Sequence, residues 1–427
     1  MTDPLLSLCM PTGDRADLLA YTLERLCALQ QFGVPFEIVV ADNMSSDHTA
    51  QVVAERARVA PFVRYCRHPY AASLAGGIIN AVHNARGKYV VVHADDDFIV
   101  PQALFGYVER LEREPDLVAI YADWMAYDDE ADKELYRYFV GLSEPVVFGP
   151  DVPVALVEFV LRHVLFPEQA VFRKDVLLRC QELIRRGAYF YHLWMYRVSR
   201  YGRVAFELEP FYREHAVIKP EYRRGERANW SMRLHVIGDE MRNQLESIVL
   251  AALQDSGATK VPVTKLAELR GLIDHFLHAR LDLEIARAKH ARDWLLALEL
   301  RRRQVLWHGL RPQRQQHRDV TELALPAALQ HIRELTHTLS DVVGVRLQGF
   351  RERTIHNLFR THFPDVTVLE GDENASAPAE GRALVVDKLD WATPDYMYAE
   401  QAGYRISLQR LLDLNRVGTV NVDLSEL

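Results

Sequence analysis

The stretch Gly87-Lys-Tyr-Val-Val-Val-His-Ala-Asp-Asp-Asp-Phe-Ile-Val-Pro101 places three consecutive carboxylates directly after a continuous apolar run. The run Tyr89–Val92 is typical of a buried strand. Three aspartates at the end of such a strand repel one another unless a cation offsets their charge. Alternate residues of an extended segment share a face, so Asp95 and Asp97 could bind one ion while Asp96 points elsewhere. Such oxygen ligands suit Mg²⁺ or Mn²⁺ and, with the metal, a diphosphate; the alternative is a solvated acidic turn.

The composition is that of a globular protein with two or three domains. The chain has 427 residues, of which 49% are hydrophobic and 26% are charged, an ordinary balance for a packed fold. A net charge of −8 argues against nucleic acid as a partner. The four cysteines show no paired spacing, which indicates free thiols. Because no apolar run reaches membrane-spanning length and the N-terminus lacks a basic signal region, we expect a cytoplasmic protein that can contact the inner face of the membrane peripherally.

Short apolar runs alternate with helical patterns over the first 125 residues. The pattern predicts strands at 5–10, 36–41, 62–66, 89–92 and 117–122, with a helix after each of the first four. Strands that are apolar on both faces predict an α/β fold with a mostly parallel sheet between helices. Ligands of such sheets lie outside the carboxyl ends of the strands. Polar clusters at 11–15, 42–47 and 95–97 occupy three of these ends, which favours a ligand site over a solvated turn.

Three blocks of sequence stand in a recognisable order and spacing. They are Leu8-Cys-Met-Pro-Thr-Gly-Asp-Arg15, Phe36-Glu-Ile-Val-Val-Ala-Asp-Asn-Met-Ser-Ser-Asp-His-Thr49 and Ala85-Arg-Gly-Lys-Tyr-Val-Val-Val-His-Ala-Asp-Asp-Asp97, the last followed by Pro101. On these blocks the chain resembles the family-2 glycosyltransferases, which have the GT-A nucleotide-sugar fold. A later segment, from Gly202 to His215, resembles the late block of that family. The resemblance covers residues 5–230 and implies a Rossmann-like nucleotide-sugar-binding domain.

The resemblance implies transfer of a sugar from a nucleotide-diphosphate donor to an acceptor hydroxyl, with inversion, in bacterial glycan, polysaccharide or glycoconjugate synthesis. The residues implied in binding the donor nucleotide are Pro11, Thr12, Arg15, Asp42, Asn43 and Asp95. Asp42 has a structural alternative, which is to cap the second helix or a local turn. The distance to Pro101 favours Asp96 and Asp97 as ligands of Mn²⁺ or Mg²⁺. His215 would approach the metal or the diphosphate, or serve a structural role.

The general base is the point at which this sequence departs from the family pattern. The family supplies that base from an acidic pair ahead of an aromatic-rich helix, whereas Tyr189-Phe-Tyr-His192 precedes the matching helix at 193–202. His192 is one substitute, because imidazole titrates near neutrality. Glu168 is another, because it lies in a loop that would face the acceptor. A different chemistry or a lost activity is the third hypothesis.

The rest of the chain predicts two further parts. Residues 231–363 carry apolar positions at helical spacing and many charges, which predicts a helical domain. Residues 364–427 predict a small α/β segment, with strands at 366–369, 383–386 and 417–422 and a helix at 406–414. We therefore expect domains at 1–230, 231–363 and 364–427, the extension binding the acceptor or a partner, or forming a homo-oligomer.

Two competing hypotheses concern function. The missing acidic pair motivates a nucleotide-sugar-binding scaffold that has lost turnover. The aspartates would also suit a nucleotidyltransferase, but the chain lacks a Gly-rich loop bearing Arg or Lys after the first strand. The donor sugar is not specified by the sequence, and a glycan, a lipid-linked glycan and a protein are all open as acceptors.

Overall fold

The computed structural model of the chain describes residues 3–68, 74–129, 131–139, 141–180, 190–217, 239–257, 260–308, 320–339, 341–348, 350, 352–369, 382–387, 397–400 and 403–414. The chain divides into two compact units, residues 1–279 and 280–427. The boundaries predicted at 230 and 363 follow changes in sequence pattern and stay a prediction. None of the helices described has the length and apolar character needed to cross a membrane.

One sheet organises the first unit, and it has ten strands in the described part of the chain. The strands are β1 (Leu6–Thr12), β2 (Phe36–Asp42), β3 (Val63–Arg67), β4 (Tyr89–Val92), β5 (Phe98–Ile99), β6 (Leu117–Asp128), β7 (Lys133–Arg137), β8 (Val146–Phe148), β9 (Ala170–Arg173) and β10 (Arg203–Val217). Their order is β3-β2-β1-β4-β9-β6-β10-β5, with β7 beside β6 and β8 beside β10. Strands β1 to β4 are parallel, as is the β6–β10 pair.

Helices accompany these strands in the described residues up to position 290. They are α1 (Ala16–Cys27), α2 (Thr49–Val59), α3 (Leu74–Asn84), α4 (Pro101–Arg113), α5 (Pro153–Arg162), α6 (Lys174–Arg179), α7 (Tyr191–Ser199), α8 (Asp239–Asp255) and α9 (Val263–His290), with a 3₁₀ turn at Ala28–Phe32. The helix α1 buries Leu19 and Leu23 completely, and every residue of β2 and β4 is buried. The predicted α/β fold with a parallel core is therefore confirmed.

Strands β5, β7, β8, β9 and β10 of this sheet were not predicted, and β9 is the one that bears most on the site. Strand β9 lies between β4 and β6 and runs antiparallel to both. Its four residues are too few to show a strand period, because an apolar run of this length also occurs within helices. Because β9 lies in the middle of the sheet, the loop that precedes it and contains Glu168 lies there too. Its neighbour β4 is the strand that leads to the three aspartates.

The second unit combines helices with a four-stranded sheet in the part of the chain described. Its elements are α10 (Trp294–His308), a π-helical turn (Val320–Ala324), α11 (Leu325–Thr338), β11 (Val342–Gln348), α12 (Glu352–His362), β12 (Arg382–Asp387), β13 (Met397–Glu400), β14 (Gly403–Ser407) and α13 (Leu408–Leu414). The strand order is β11-β12-β14-β13, and only β13 is antiparallel to its neighbour.

The strand at 383–386 is confirmed as β12, and the helix predicted at 406–414 begins two residues later because β14 extends to Ser407. Strand β11 was not predicted: it lies in the stretch expected to be helical, and its pairing with β12 overrides the local pattern. The strand predicted at 366–369 is reduced to a single bridge between Val345 and Val368. The strand predicted at 417–422 lies outside the described residues.

A buried carboxylate joins three segments of the first unit. Glu37 on β2 accepts hydrogen bonds from Ser7 Oγ at 2.7 Å, from Arg64 Nη1 at 2.8 Å and from the backbone N–H of Arg86 at 2.5 Å. Burial alone would raise the pKa of Glu37, but the hydrogen bonds from Arg64, Arg86 and Ser7 outweigh it and hold the pKa below its usual value. The charged form is therefore stabilised by folding.

Substitution Glu37→Ala is expected to reduce the stability of this part of the sheet by about 3 kcal/mol at pH 7, because it leaves the Arg64 charge without its partner. The contribution of Glu37 is present above its unfolded pKa of about 4.3 and is lost as the pH falls through the lower folded pKa. Hydrogen exchange of the β1 and β2 amides measures the difference, which should shrink toward zero in acid. Glu55→Ala, at an exposed position on α2, is the control; an equal effect in both variants would contradict the assignment.

Candidate functional site

The carboxyl ends of β1, β2 and β4 meet at one edge of the sheet. Strand β1 lies between the other two, and Pro11 and Thr12 stand in register with Ala41 and Asp42. The Thr12 hydroxyl donates to Asp95 Oδ2 at 2.6 Å, and the Asn43 N–H donates to the Thr12 carbonyl at 2.9 Å. The polar clusters that are separate in the sequence thus form one site.

Arg15 is the cation that the chain itself supplies to the aspartates. Its Nη1 donates to Asp95 Oδ1 at 2.6 Å and its Nη2 donates to Asp96 Oδ2 at 2.5 Å. Burial by itself would lower the pKa of Arg15, but the charges of Asp95 and Asp96 raise it. Burial raises the pKa of Asp95 to about 6 in spite of the neighbouring Arg15. Arg15 therefore holds the first two carboxylates together and offsets part of their repulsion.

Asp97 is held differently. Its Oδ2 accepts from the Tyr212 hydroxyl at 2.8 Å and its Oδ1 accepts from the backbone N–H of His215 at 2.9 Å. Burial, followed by the charges of Asp96 and Glu214, raises the pKa of Asp97 well above its usual range. Among the residues that the structure describes, no Lys, Arg or His forms an ion pair with Asp97. Negative charge is therefore in excess at this end of the triplet.

Both carboxylate oxygens of Asp42 accept hydrogen bonds from within the protein. Its Oδ1 accepts from the backbone N–H of Ser45 at 2.8 Å, and its Oδ2 accepts from the Tyr65 hydroxyl at 2.5 Å. The first bond is the local turn that the sequence offered as the structural alternative. A contact between Asp42 and a nucleoside stays a prediction.

The two candidates for the general base lie in different surroundings. His192 has no exposed surface, its Nε2 donates to the Leu165 carbonyl at 3.2 Å, and its ring packs between those of Phe166 and Phe276, with centroids 5.7 and 5.1 Å away. This is the environment of a core histidine, out of reach of an acceptor hydroxyl.

Glu168 lies in the turn that leads into β9 and is half-buried. Tyr191, the first residue of α7, donates a hydrogen bond to it. Burial, the charge of Glu168, that hydrogen bond and the charge of Asp97 together raise the pKa of Tyr191 well above its usual value. Tyr191 thus interacts with Glu168 and also with the charge of Asp97, while His192 stays in the core.

Strand β10 contributes to the site through alternate residues. Tyr212 contacts Asp97, and Glu214 accepts from the Tyr138 hydroxyl. The ring of His215 faces away, because it contacts Phe98 at a centroid distance of 3.7 Å while its Nε2 lies 3.8 Å from Asp129 Oδ1. His215 therefore reaches Asp97 by its main chain. Its assignment as a metal ligand stays a prediction.

Sequence reasoning missed the aromatic support of this site. Tyr138 stacks on Trp124, with centroids 3.4 Å apart and rings 5° from parallel. Buried Asp123 fixes this arrangement, since its Oδ1 accepts from the backbone N–H groups of Trp124, Tyr138 and Phe139. The sequence carries no signal for this contact, because it joins residues about 15 positions apart through a hairpin whose register only the folded sheet defines.

Hard oxygen donors are present, but they do not form a closed metal site. The described residues contain no group of three or more His, Cys, Asp or Glu placed to hold a metal ion. The crowded carboxylates of Asp96 and Asp97 are the donors that Mg²⁺ or Mn²⁺ prefers, and a cation would relieve the excess charge described above. The arrangement fits an ion whose remaining ligands are phosphate oxygens and water.

One family model matches part of the chain. Residues 7–179 match the model of Glycosyl transferase family 2. No curated protein matches the sequence. Among solved structures, S. aureus TarS 1–349 in complex with UDP-GlcNAc is similar at 13% identity and a TM-score of 0.45, covering 79% of this chain and 93% of TarS. The mannosyltransferase PcManGT from Pyrobaculum calidifontis, in complex with GDP-Man and Mn²⁺, is similar at 17% identity and a TM-score of 0.41, covering 79% and 81%. The family match spans β1 to α6, which include Arg15, Asp42, the three aspartates and Glu168.

Proposed function

Because residues 7–179 match the model of Glycosyl transferase family 2, we propose that this chain is a metal-dependent, inverting enzyme that moves a sugar from a nucleotide-diphosphate donor to an acceptor hydroxyl. The observation that supports it most directly is the meeting of Thr12, Arg15 and the three aspartates at the carboxyl edge of the parallel strands. A nucleotidyltransferase does not agree with the family match.

The donor lies across this edge in the proposal. The nucleoside lies against Pro11, Asp42 and Asn43, and the diphosphate extends toward Asp96. Arg15 is placed to donate to a phosphate oxygen, since a guanidinium has five donors and here uses two of them on carboxylates. Asp95 accepts hydrogen bonds from Thr12 and Arg15 and so holds both side chains in the donor site.

Asp96 and Asp97 hold the divalent cation in the proposal. When bound, such an ion neutralises the charge that develops on the leaving diphosphate. Tyr212 and the His215 N–H keep Asp97 in place, because each donates to one of its oxygens. His215 thus contributes its main chain to the site.

Glu168 is the general base in the proposal. Its carboxylate takes the proton from the acceptor hydroxyl as that oxygen attacks the anomeric carbon. The hydrogen bond from Tyr191 orients the carboxylate. Tyr191 interacts both with Glu168 and with the charge of Asp97. This link supports an enzyme over a scaffold without turnover, because the scaffold hypothesis arose from the missing acidic pair.

Calorimetric titration with a panel of nucleotide diphosphates and their sugars, with and without Mn²⁺, tests the donor site. One nucleotide is expected to bind in a metal-dependent way. Substitution Arg15→Gln is expected to weaken that binding by about tenfold or more, because it removes a charged donor and releases Asp95 and Asp96 to repel each other. Arg58→Gln, exposed on α2, is the matched control. Binding by no member of the panel, or equal binding in the two variants, would contradict this site.

A further inference from the structure

A second pocket lies beside β5, with a volume of about 200 Å³. Its walls come from the end of α1 and the 3₁₀ turn that follows, from β5 and from the ends of β6 and β10; the residues used below are Arg25, Phe98, Tyr127, Asp129, Asp132 and Arg213. None of Thr12, Arg15 or the three aspartates lines it. Arg15 precedes α1 and Arg25 lies in its last turn, about 15 Å away at a rise of 1.5 Å per residue. The pocket therefore shares no lining residue with the donor site, although Phe98 directly follows Asp97.

Two arginines that border this pocket form no ion pair with any other described residue. The Arg25 guanidinium lies 3.9 Å from the ring centroid of Phe98, and that of Arg213 lies 5.2 Å from the ring centroid of Tyr127. Arg25 donates to the Tyr21 hydroxyl at 2.5 Å, and the Nε of Arg213 is buried with no acceptor. Stacking on a ring leaves the N–H groups at the edge of the guanidinium available to a ligand.

Two carboxylates also border the pocket, and neither forms an ion pair with Arg25 or Arg213 among the described residues. Asp132 accepts a hydrogen bond from the Tyr127 hydroxyl. Asp129 lies 3.8 Å from the imidazole of His215. Apart from the bond that Arg25 gives to Tyr21, no acceptor among the described residues is assigned to the N–H groups of these two guanidiniums, so a ligand that fills the pocket can bring the acceptor oxygens.

We propose that this pocket binds a phosphoryl group through Arg25 and Arg213. A phosphoryl group has three or four oxygens and can accept from two guanidinium forks at once, and it carries more negative charge than a carboxylate. The aromatic rings fix the two guanidinium planes in advance, so less side-chain freedom is lost on binding. A general excess of positive charge does not account for the site, since the chain carries a net charge of −8. The volume admits a phosphate with a small organic substituent.

Titration of the whole protein, kept free of metal by a chelator, with inorganic phosphate and with dimethyl phosphate tests the proposal. Phosphorus NMR or calorimetry reports binding in the range up to about 10 mM. Tighter binding of dimethyl phosphate would identify a phosphodiester of a larger molecule as the natural ligand. Tighter binding of inorganic phosphate would identify the free ion or a monoester.

Substitutions Arg213→Gln and Arg25→Gln are each expected to weaken binding by about tenfold or more, and Arg58→Gln is expected to leave it unchanged. Arg15→Gln separates the two sites: if phosphate occupies the donor site, this variant loses binding and the two pocket variants keep it, which overturns the proposal. The absence of binding by either probe also overturns it. Loss in the pocket variants with retention in Arg15→Gln supports the site whether or not the chain transfers a sugar.

Discussion

Substitution Asp97→Asn is expected to lower metal-dependent turnover of the sugar donor by about a thousandfold, with little change in the fold. The side chain is almost fully buried, and an amide has nearly the same shape as the carboxylate it replaces. What changes is the charge: the amide is a weak ligand for a divalent ion and cannot balance it. Release of nucleoside diphosphate from the donor, with water as the acceptor, provides an assay that does not need the natural acceptor.

The control for this substitution is Asp17→Asn, which removes the same charge at a position on α1 whose side chain is 68% exposed. Thermal unfolding of both variants checks that Asp97→Asn remains folded. A second variant, Tyr212→Phe, removes one hydrogen bond to Asp97 and is expected to reduce turnover by only about tenfold. If Asp97→Asn keeps activity within about threefold of the parent, the chain does not use Asp97 for charge stabilisation in the reaction.

The parallel core and the meeting of the polar clusters were predictable because both follow from local signals. Continuous apolar runs such as Phe36–Asp42 indicate strands buried on two faces, and the carboxyl ends of parallel strands have to lie at one edge. Thr12 and Asp95 are 83 residues apart in the chain and still could be expected to approach each other. In the second unit β11 could not be predicted, since its conformation depends on pairing with β12, whose first residue lies about 40 positions away.

The surroundings of each side chain were less predictable than its place in the sheet. The sequence did not favour either His192 or Glu168 as the general base, because no local pattern predicts which side of α7 faces the sheet. The contact of His192 with Phe276 depends on α9, which is more than 80 residues away. The contacts of Arg15 were equally hard to predict. An arginine suits a phosphate, but its hydrogen bonds to Asp95 and Asp96 form only because β1 and β4 are neighbours in the folded sheet.

Substitution Glu168→Gln is expected to lower kcat by about a hundredfold to a thousandfold while KM for the donor stays nearly constant. The amide keeps the volume of the side chain and can still accept from Tyr191, so positioning is largely preserved. It cannot take a proton from the acceptor hydroxyl. The acidic limb of the pH–rate profile, in which the rate falls as the base becomes protonated, is therefore expected to disappear in this variant.

The matched variant is His192→Gln, which removes the other candidate base. Because His192 is packed between Phe166 and Phe276 with no exposed surface, its replacement is expected to lower the melting temperature and to leave kcat of the folded fraction within about threefold. The two variants should thus separate, one in kcat and the other in stability. The reverse outcome, with kcat lost in His192→Gln and kept in Glu168→Gln, would show that proton removal does not pass through Glu168 and that α7 rearranges when the acceptor binds.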